Sequence, residues 1–450
     1  MSNKRLVVVG AGIAGLTAAY FLKTEGYNPI VLEKSEQVGG RMITDVVNGF
    51  TIDCGVQFLM DKYPLLTNLV DRLGLNKELI EISQYGGVVR NGKIRTFTSA
   101  ETLSALKTGI LSLSGWLRFA FLSYRLAAKT RSLPLNEFSA WSVFDDMDAE
   151  TWSNSYFGEE ITDYVIEPSL NGLYFQSLRG TSRVVPMITT TMTAMLFSKK
   201  IKNMTLTGGM GVLTERLASE LDVRLNTPVN SISLEKTTIE LNTDNERIIA
   251  DRVILASTAT VSKSLYKDAS PVEHKLLDTQ YSSTLVIAIA VKGFFRIAAE
   301  ISEIYGILIP RKERNVIAAI ANEGNKDKGR LANGQLLMAF LSDTAASEMI
   351  DWKDDDILEV VLKEMEQYFA EVSENILFTK IYRWKEALPM SPLGRSRNVA
   401  RYRQSVDGST KVFLAGDYAS MPFGEGAAES GKWAAEALMK NLAPPNNELT

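Results

Sequence analysis

The chain begins with apolar runs that suit buried strands, separated by one run of helical spacing. Leu6 to Val9 are four apolar β-formers, and a second apolar run ends at Leu32. Between these runs, apolar residues recur with the period of a helix as far as Gly26. This pattern predicts a strand, a helix and a second strand in one continuous unit.

The turn between the first strand and the helix carries a glycine motif. Gly10, Gly12 and Gly15 have G-x-G-x-x-G spacing, and Glu33 directly follows the second strand. The first glycine permits a tight turn, the second a close approach to a pyrophosphate, and the third close helix packing. An acid at the end of the second strand can accept hydrogen bonds from a ribose. The context favours a dinucleotide site over an accidental glycine turn.

Further apolar runs indicate a second, separate sheet. An Asn91-Gly92 pair between alternating strands predicts a hairpin, and turns are expected at Pro168 and at Asn171-Gly172. The strands predicted for this sheet are Ser282–Val291, Ile304–Ile309, Val316–Ile320 and Leu336–Leu341. Four earlier predicted strands indicate a return to the dinucleotide-binding unit: Val223–Leu225, Val229–Leu234, Thr238–Leu241 and Arg252–Ala256.

These runs predict an interleaved, two-domain architecture of the α/β and α+β class. A Rossmann-like dinucleotide-binding domain is expected from three segments, 1–80, 205–265 and 400–445. A substrate domain of antiparallel or mixed sheet and helices is expected from 81–204 and 266–399, with a helical cap near 100–135.

The cap region is basic and rich in aromatic residues. Residues 102–136 contain no acid, yet they include Lys107, Arg118, Arg125, Lys129 and Arg131. Two interpretations remain open. The helices could lie on an anionic membrane surface, or they could cap a substrate pocket with their cations in solvent.

Composition narrows the function further. The formal net charge is −4 with a pI near 5.5, which argues against binding nucleic acid through bulk charge. One cysteine and one histidine, Cys54 and His274, predict no metal site and no Ser-His-Asp triad. We interpret Cys54 as a small buried residue rather than a nucleophile. With no room for a signal peptide and no long apolar run, a cytoplasmic protein is expected.

Motifs along the whole chain resemble the FAD-dependent amine oxidase superfamily, which includes monoamine oxidases, protoporphyrinogen oxidases and phytoene desaturases. They are GAGIAGL, Glu33, VGGRM, ADRVILAS and the closing LAGDY…GEGAAESG. The resemblance implies a monoamine oxidase-like fold with FAD in the dinucleotide domain. It implies that FAD is bound by Gly10, Ala11, Gly12, Ile13, Ala14, Gly15, Glu33, Lys34, Gly40, Arg41, Val229, Trp384, Gly416, Asp417, Gly426 and Ala427.

The finer resemblance is to protoporphyrinogen oxidases, through IEPSLNGLYFQSLRGTS and RWKEALPMSPLGRSRNVA. Arg395 stands where that family commonly has histidine, and the strand YSSTLVIAIAV lacks the lysine of monoamine oxidases. The cysteine that attaches flavin covalently in monoamine oxidases is also absent, so the resemblance implies non-covalent FAD.

The resemblance implies hydride abstraction from a largely apolar substrate, forming a C=C or C=N bond, with oxygen or a quinone as electron acceptor. No catalytic base stands out. Pocket candidates are Tyr174, Trp384, Tyr418 and Phe423, and Arg395 and Arg183 are candidates for holding substrate carboxylates.

Three alternatives stay open: an amine or amino-acid oxidase, a carotenoid-type desaturase or isomerase, and a flavin-free binding protein like the prenylated-GTPase escort proteins. Glu33 and Gly416-Asp417 argue against the last of these. The sequence does not indicate an oligomeric state.

Overall fold

A computed structural model describes residues 4–98, 104–197 and 201–442. The strands are β1 (Leu6–Val9), β2 (Ile30–Leu32), β3 (Thr44–Val47), β4 (Phe50–Asp53), β5 (Leu59–Met60), β6 (Leu79–Glu81), β7 (Tyr85–Arg90), β8 (Lys93–Thr98), β9 (Asn203–Leu206), β10 (Asp222–Arg224), β11 (Val229–Leu234), β12 (Ile239–Thr243), β13 (Arg247–Ala250), β14 (Arg252–Leu255), β15 (Tyr281–Lys292), β16 (Ile304–Leu308), β17 (Ile317–Asn322), β18 (Gly334–Leu341), β19 (Ile376–Pro389) and β20 (Val412–Leu414).

The α-helices in these ranges are α1 (Ile13–Thr24), α2 (Pro64–Arg72), α3 (Leu113–Thr130), α4 (Ala149–Tyr156), α5 (Glu159–Ile161), α6 (Glu167–Tyr174), α7 (Val184–Phe197), α8 (Gly211–Ser219), α9 (Ala259–Leu265), α10 (Pro271–Leu277), α11 (Asp343–Met349), α12 (Asp354–Met365), α13 (Arg395–Ser405) and α14 (Gly424–Leu442). Within the described ranges, no helix combines the length and the apolar character needed to cross a bilayer.

A five-stranded parallel sheet in the order β10-β2-β1-β14-β20 contains the predicted strand-helix-strand unit. The predicted β1, α1 and β2 are confirmed. Helix α14 packs tightly on α1, because a Cβ added at Gly431 would lie 2.0 Å from the carbonyl oxygen of Ala14. Helices α1 and α14, at opposite ends of the part of the chain that the structure describes, therefore meet.

A second sheet of seven strands has the order β19-β15-β18-β17-β16-β7-β8. Its pairs are antiparallel except for β16 with β7. The predicted hairpin is confirmed as β7 and β8, joined by Asn91 and Gly92 with φ of 55° and 67°. Two positive φ values suit the tight turn whose twist matches the strands.

The turns expected at Pro168 and at Asn171-Gly172 are wrong, because both sites lie inside α6. Pro168 lies in the first turn of α6, directly after a π-helical turn over Thr162–Ile166, so the chain is helical on both sides of it. A Cβ at Gly172 would lie 2.7 Å from a side-chain carbon of Leu308, so this glycine serves close packing rather than a turn.

The predicted basic helical region contains α3, and the part that covers 99–103 lies outside the described residues. One face of α3 leaves large apolar side chains in solvent. Leu113, Leu117, Phe121 and Tyr124 are 64%, 63%, 59% and 75% exposed. Spacings of three and four residues place them on the same side of the helix.

A buried charged cluster lies at the end of β4 and in the loop after β17. The Asp53 carboxylate lies 2.7 Å from Lys326 Nζ and 2.6 Å from Arg330 Nη1, and Glu323 completes the cluster. All four side chains are at most 1% exposed. Burial alone would raise the pKa of Asp53, but Lys326 and Arg330 hold it below its usual value.

Candidate active site

The glycine turn after β1 has the geometry that its motif predicts. Gly10 has a φ of +104°, which favours glycine, and a Cβ at Gly15 would lie 2.0 Å from the carbonyl oxygen of Gly10. A Cβ at Gly12 would meet no atom within 4 Å. Gly10 and Gly15 therefore shape the turn, whereas Gly12 faces open space at the start of α1.

Glu33 is positioned by backbone N–H groups at the end of β2. Its Oε2 accepts a hydrogen bond from the N–H of Ala11 at 2.7 Å, and its Oε1 accepts one from Ser35 at 2.9 Å. The carboxylate lines a long cleft together with Lys34 and Val229. The space of this cleft, together with the open solvent before it, amounts to about 1720 Å³.

The other end of the cleft is closed by an ion pair. Arg41 donates from Nη2 to Asp417 Oδ1 at 2.9 Å and from Nη1 to the carbonyl oxygen of Ala387 at 2.7 Å. Gly416, with a φ of +138°, donates its N–H to Ser430 Oγ at 2.8 Å. These bonds tie the turn that carries Arg41 to the segment after β20 and to β19, which are distant in sequence.

Helix α14 begins at this end of the cleft. Ala427 lines the cleft, and a Cβ at Gly426 would lie 2.3 Å from the carbonyl oxygen of Met421. The first turn of a long helix offers free N–H groups and a partial positive charge to an anionic or electron-rich group.

Most of the residues expected to bind the cofactor line this one cleft. They are Gly10, Gly12, Ile13, Ala14, Glu33, Lys34, Gly40, Arg41, Val229, Trp384, Gly416, Asp417 and Ala427. Ala11, Gly15 and Gly426 lie behind it, where they hold Glu33 or allow close backbone packing.

A second, apolar cavity joins the cleft, and its space together with the open solvent before it amounts to about 1960 Å³. Arg41, Trp384 and Phe423 line both spaces and mark the junction. Among the described residues that line the cavity there is no carboxylate. Its cations are Arg41, which is paired with Asp417, and Lys202, whose Nζ lies 2.6 Å from Glu81 Oε2.

Aromatic rings surround the junction. Tyr63 stacks on Phe423 with ring centroids 5.5 Å apart, and Tyr174 meets Phe423 edge-on at 6.0 Å. Trp384 donates its indole N–H to the carbonyl oxygen of Cys54 at 2.8 Å. The candidates Tyr174, Trp384 and Phe423 therefore come together on the cavity wall.

Three other candidates, Tyr418, Arg395 and Arg183, do not line the cavity. Tyr418 is fully buried, packed against Gly416, where a Cβ would lie 2.7 Å from its ring. Arg395 is buried and donates to the carbonyl oxygens of Asp417 and Ser420 at 2.6 and 2.7 Å. Neither side chain lines the cavity. Tyr418 packs in the core, and the Arg395 guanidinium is bound to backbone carbonyl oxygens.

Arg183 also lies away from the cavity. Its Nη2 lies 2.7 Å from Asp146 Oδ1, and its Nε donates to the carbonyl oxygen of Phe144 at 2.9 Å. Cys54 is buried, as expected, and burial raises the pKa of its thiol to about 12. A thiol with so high a pKa is a poor nucleophile.

The sequence analysis missed several residues of the cavity wall. Tyr63 lies directly before Pro64, which signals the start of a helix. That signal does not indicate that Tyr63 lines a cavity. Thr284 lies opposite Trp384 across β15 and β19 and donates to the carbonyl oxygen of Leu341 at 3.0 Å. Thr284 lies in the segment YSSTLVIAIAV, and no sequence pattern marked it as a residue of the cavity wall.

The cleft fits FAD on its own geometry. Open space at Gly12 allows a pyrophosphate to approach the start of α1, and the Glu33 carboxylate lies where a ribose hydroxyl can donate to it. No group of three or more His, Cys, Asp or Glu side chains that could hold a metal occurs in the described part of the chain.

Comparisons with known proteins agree with this geometry. Residues 13–439 match the model of flavin containing amine oxidoreductases. The chain is 23% identical to coproporphyrinogen III oxidase of Bacillus subtilis, over 90% of this chain and 91% of that enzyme. It is 32% identical to protoporphyrinogen oxidase 2 of Arabidopsis thaliana, over 38% of this chain and 33% of the plant enzyme.

Solved structures share the fold. A protein of Exiguobacterium sp. 255-15, provisionally named a protoporphyrinogen oxidase, has a TM-score of 0.77 at 23% identity, covering 98% of this chain and 99% of its own. Putrescine oxidase has a TM-score of 0.77 at 19% identity, covering 97% and 99%. The chain is therefore an FAD-dependent oxidoreductase and belongs to the family of flavin containing amine oxidoreductases.

Proposed function

We propose that this enzyme oxidises a porphyrinogen, removing hydride from a bridging carbon and forming a C=C or C=N bond. The apolar cavity that opens onto the cleft carries this proposal. It is large, most of its wall is apolar, and its described lining has no carboxylate to attract an ammonium group. A bulky substrate with an apolar body therefore suits it better than a small amine.

Bound FAD would supply the hydride acceptor, and oxygen or a quinone would take the two electrons of each round; three rounds, each removing one hydride and one N–H proton, convert a porphyrinogen into a porphyrin. The chain's own residues bind and orient. Trp384, fixed by its bond to Cys54, and Phe423, fixed by stacking on Tyr63, hold the substrate at the junction of the two spaces. We propose that the substrate's pyrrole N–H protons pass to water, since the described cavity wall offers no carboxylate or histidine as a base.

The site assignments and the domain division are part of this proposal. The cleft residues named above bind FAD non-covalently. Segments 1–80, 205–265 and 400–445 form the FAD domain, and 81–204 and 266–399 the substrate domain. In support, every strand of the parallel sheet comes from the first set of segments, and every strand of the seven-stranded sheet from the second.

A substrate panel tests the proposed activity. We expect protoporphyrinogen IX or coproporphyrinogen III to yield a fluorescent porphyrin in the presence of the enzyme, well above the spontaneous rate. Putrescine, cyclohexylamine and L-amino acids should give no hydrogen peroxide. Turnover of an amine with neither porphyrinogen oxidised would reject the proposal.

We further propose that this enzyme is cytoplasmic and that it touches an anionic membrane through α3. The exposed apolar face of this helix lies among the cations Arg118, Arg125 and Lys129, with no acidic residue in α3. Co-sedimentation with phosphatidylglycerol vesicles should exceed that with phosphatidylcholine. Changing Leu117 and Phe121 to serine should abolish it, whereas serine at Leu377, 50% exposed on β19, should not. Equal binding by both variants would contradict contact through α3.

A further inference from the structure

Gly306 lies within β16, and the side chain it lacks would point into the apolar cavity. It lines the cavity, and a Cβ built there would meet no atom within 4 Å. Its φ is outside the positive range that favours glycine. Neither packing nor backbone conformation therefore requires glycine here.

Other glycines of the same wall are different. A Cβ at Gly86 would lie 2.5 Å from the ring of Phe97, and one at Gly87 would lie 2.8 Å from Ile94. A Cβ at Gly172 would lie 2.7 Å from Leu308. These three glycines make room for neighbouring side chains, whereas Gly306 makes room for the cavity itself.

A glycine inside a strand weakens the strand, because it loses more backbone freedom on folding and offers no side chain to pack. A strand glycine marks either an irregularity of the strand or a close approach by another group, and the register of β16 against β7 does shift between Ile304 and Gly306. Because φ at Gly306 is not positive, the shift does not itself require glycine, and the free space above the residue points to a close approach. Because Gly306 faces the cavity, the approaching group is the ligand of that cavity.

The neighbours of Gly306 keep this part of the wall low. Gly306 pairs with Ala321 on β17 and with Gly86 on β7, and all three line the cavity. The ring of Phe97 occupies the space above Gly86, so the floor without a side chain larger than methyl spans Gly306 and Ala321, on strands roughly 4.8 Å apart, and the Phe97 ring borders it. Such a floor fits the broad face of a ring system. A chain-like ligand does not need such a floor.

We propose that Gly306 determines substrate width, admitting the face of a macrocycle that any larger side chain would exclude. This inference rests on the proposed function, because it takes the apolar cavity as the substrate site. A side chain at position 306 would occupy the floor and leave room only for slender ligands.

Three variants test this: Gly306→Ala, Gly306→Leu, and Gly408→Leu as the control. A Cβ at Gly408 also meets nothing within 4 Å, but this residue lies on the exposed surface. The flavin content and melting temperature of each holoenzyme are measured first. We expect all three to match the unsubstituted protein, since position 306 has free space for the new atoms.

Binding is then followed by fluorescence titration with two probes, protoporphyrin IX as the macrocycle and cis-parinaric acid as the slender ligand. Gly306→Leu should weaken protoporphyrin IX binding at least tenfold and change cis-parinaric acid binding less than twofold. Gly306→Ala should fall between, and Gly408→Leu should change neither.

The outcomes separate this inference from the proposed function. If the unsubstituted enzyme oxidises a porphyrinogen and Gly306→Leu binds protoporphyrin IX equally well, the role of Gly306 is overturned and the activity stands. Equal loss of both probes in Gly306→Leu also overturns it. If the unsubstituted enzyme neither binds protoporphyrin IX nor oxidises a porphyrinogen, both proposals fail.

Discussion

Glu425, in the first turn of α14, allows the sharpest prediction from the electrostatics of the site. Its Oε1 and Oε2 accept hydrogen bonds at 2.8 Å from the N–H groups of Leu65 and Leu66, at the start of α2. Asn136 donates to Oε1 at 3.2 Å. This carboxyl thus joins the helix that begins beside the cleft to the helix that follows Tyr63.

Burial raises the pKa of Glu425 to about 7 from an ordinary 4.5. The neighbouring charge on its own helix, Glu429, is paired with Arg403, and the first turn of α2 carries no charged side chain. Between these two pKa values the folded protein holds a proton that the unfolded chain has released. The free energy of unfolding therefore falls by about 3 kcal/mol as the pH rises from about 4.5 to about 7.

Glu425→Gln removes this dependence, because an amide does not ionise. Going from pH 5 to pH 8, the stability of the variant relative to the unsubstituted protein should rise by about 3 kcal/mol. The variant also loses the acceptor for one backbone N–H, which lowers its free energy of unfolding by about 1–3 kcal/mol. This loss is the same at both pH values, so it does not change the pH dependence. A chain of 450 residues has an unfolding entropy of about 0.9 kcal/mol/K, so the relative melting temperature should shift by about 3 °C.

Melting temperatures of both holoproteins by scanning calorimetry at pH 5, 6, 7 and 8 measure this shift. Glu436→Gln is the control, since Glu436 forms an exposed pair with Lys432 on the same helix. A difference between the Glu425→Gln variant and the unsubstituted protein that stays constant from pH 5 to pH 8 would refute the reasoning.

Two further predictions concern the glycine turn and the buried charges. Gly12→Ala should keep the melting temperature of the flavin-free protein but lose flavin absorbance. Gly15→Ala should lower both, because its Cβ would lie 2.0 Å from the carbonyl oxygen of Gly10. Equal stability of the two flavin-free variants would contradict this difference. Asp53→Asn should cost about 3–5 kcal/mol in chemical denaturation, because it leaves Lys326 and Arg330 buried with too little negative charge. Asp351→Asn, in an exposed pair with Lys385, should cost at most about 1 kcal/mol, and a similar loss for both variants would reject the importance of burial.

The sequence predicted best where one local pattern determines local structure. The first strand, its helix and the Asn91-Gly92 hairpin are specified by apolar periodicity and by positive φ, and the structure confirms them. The α6 segment shows the limit. Pro168 and Gly172 are ordinary turn signals, but the tight packing of Gly172 against Leu308 comes from a strand far along the chain.

The candidate site divides in the same way. The cleft residues could be named because a cofactor approach needs particular small and acidic residues at fixed spacings. The cavity wall could not, since Tyr63, Thr284 and Gly306 come from separate elements with no common motif. Tyr418 and Arg395 were misplaced because sequence does not show which side chains of a segment point into the core.

Anaerobic reduction of the bound flavin tests the central claim most directly. The visible spectrum of the purified holoprotein is recorded without oxygen, and protoporphyrinogen IX or coproporphyrinogen III is then added. The account predicts that the oxidised flavin band bleaches within seconds, since one hydride reduces one flavin, and that fluorescent porphyrin, which needs three such two-electron oxidations, accumulates once oxygen is admitted. A flavin that stays oxidised with both porphyrinogens, yet bleaches with an amine or an amino acid, would contradict it.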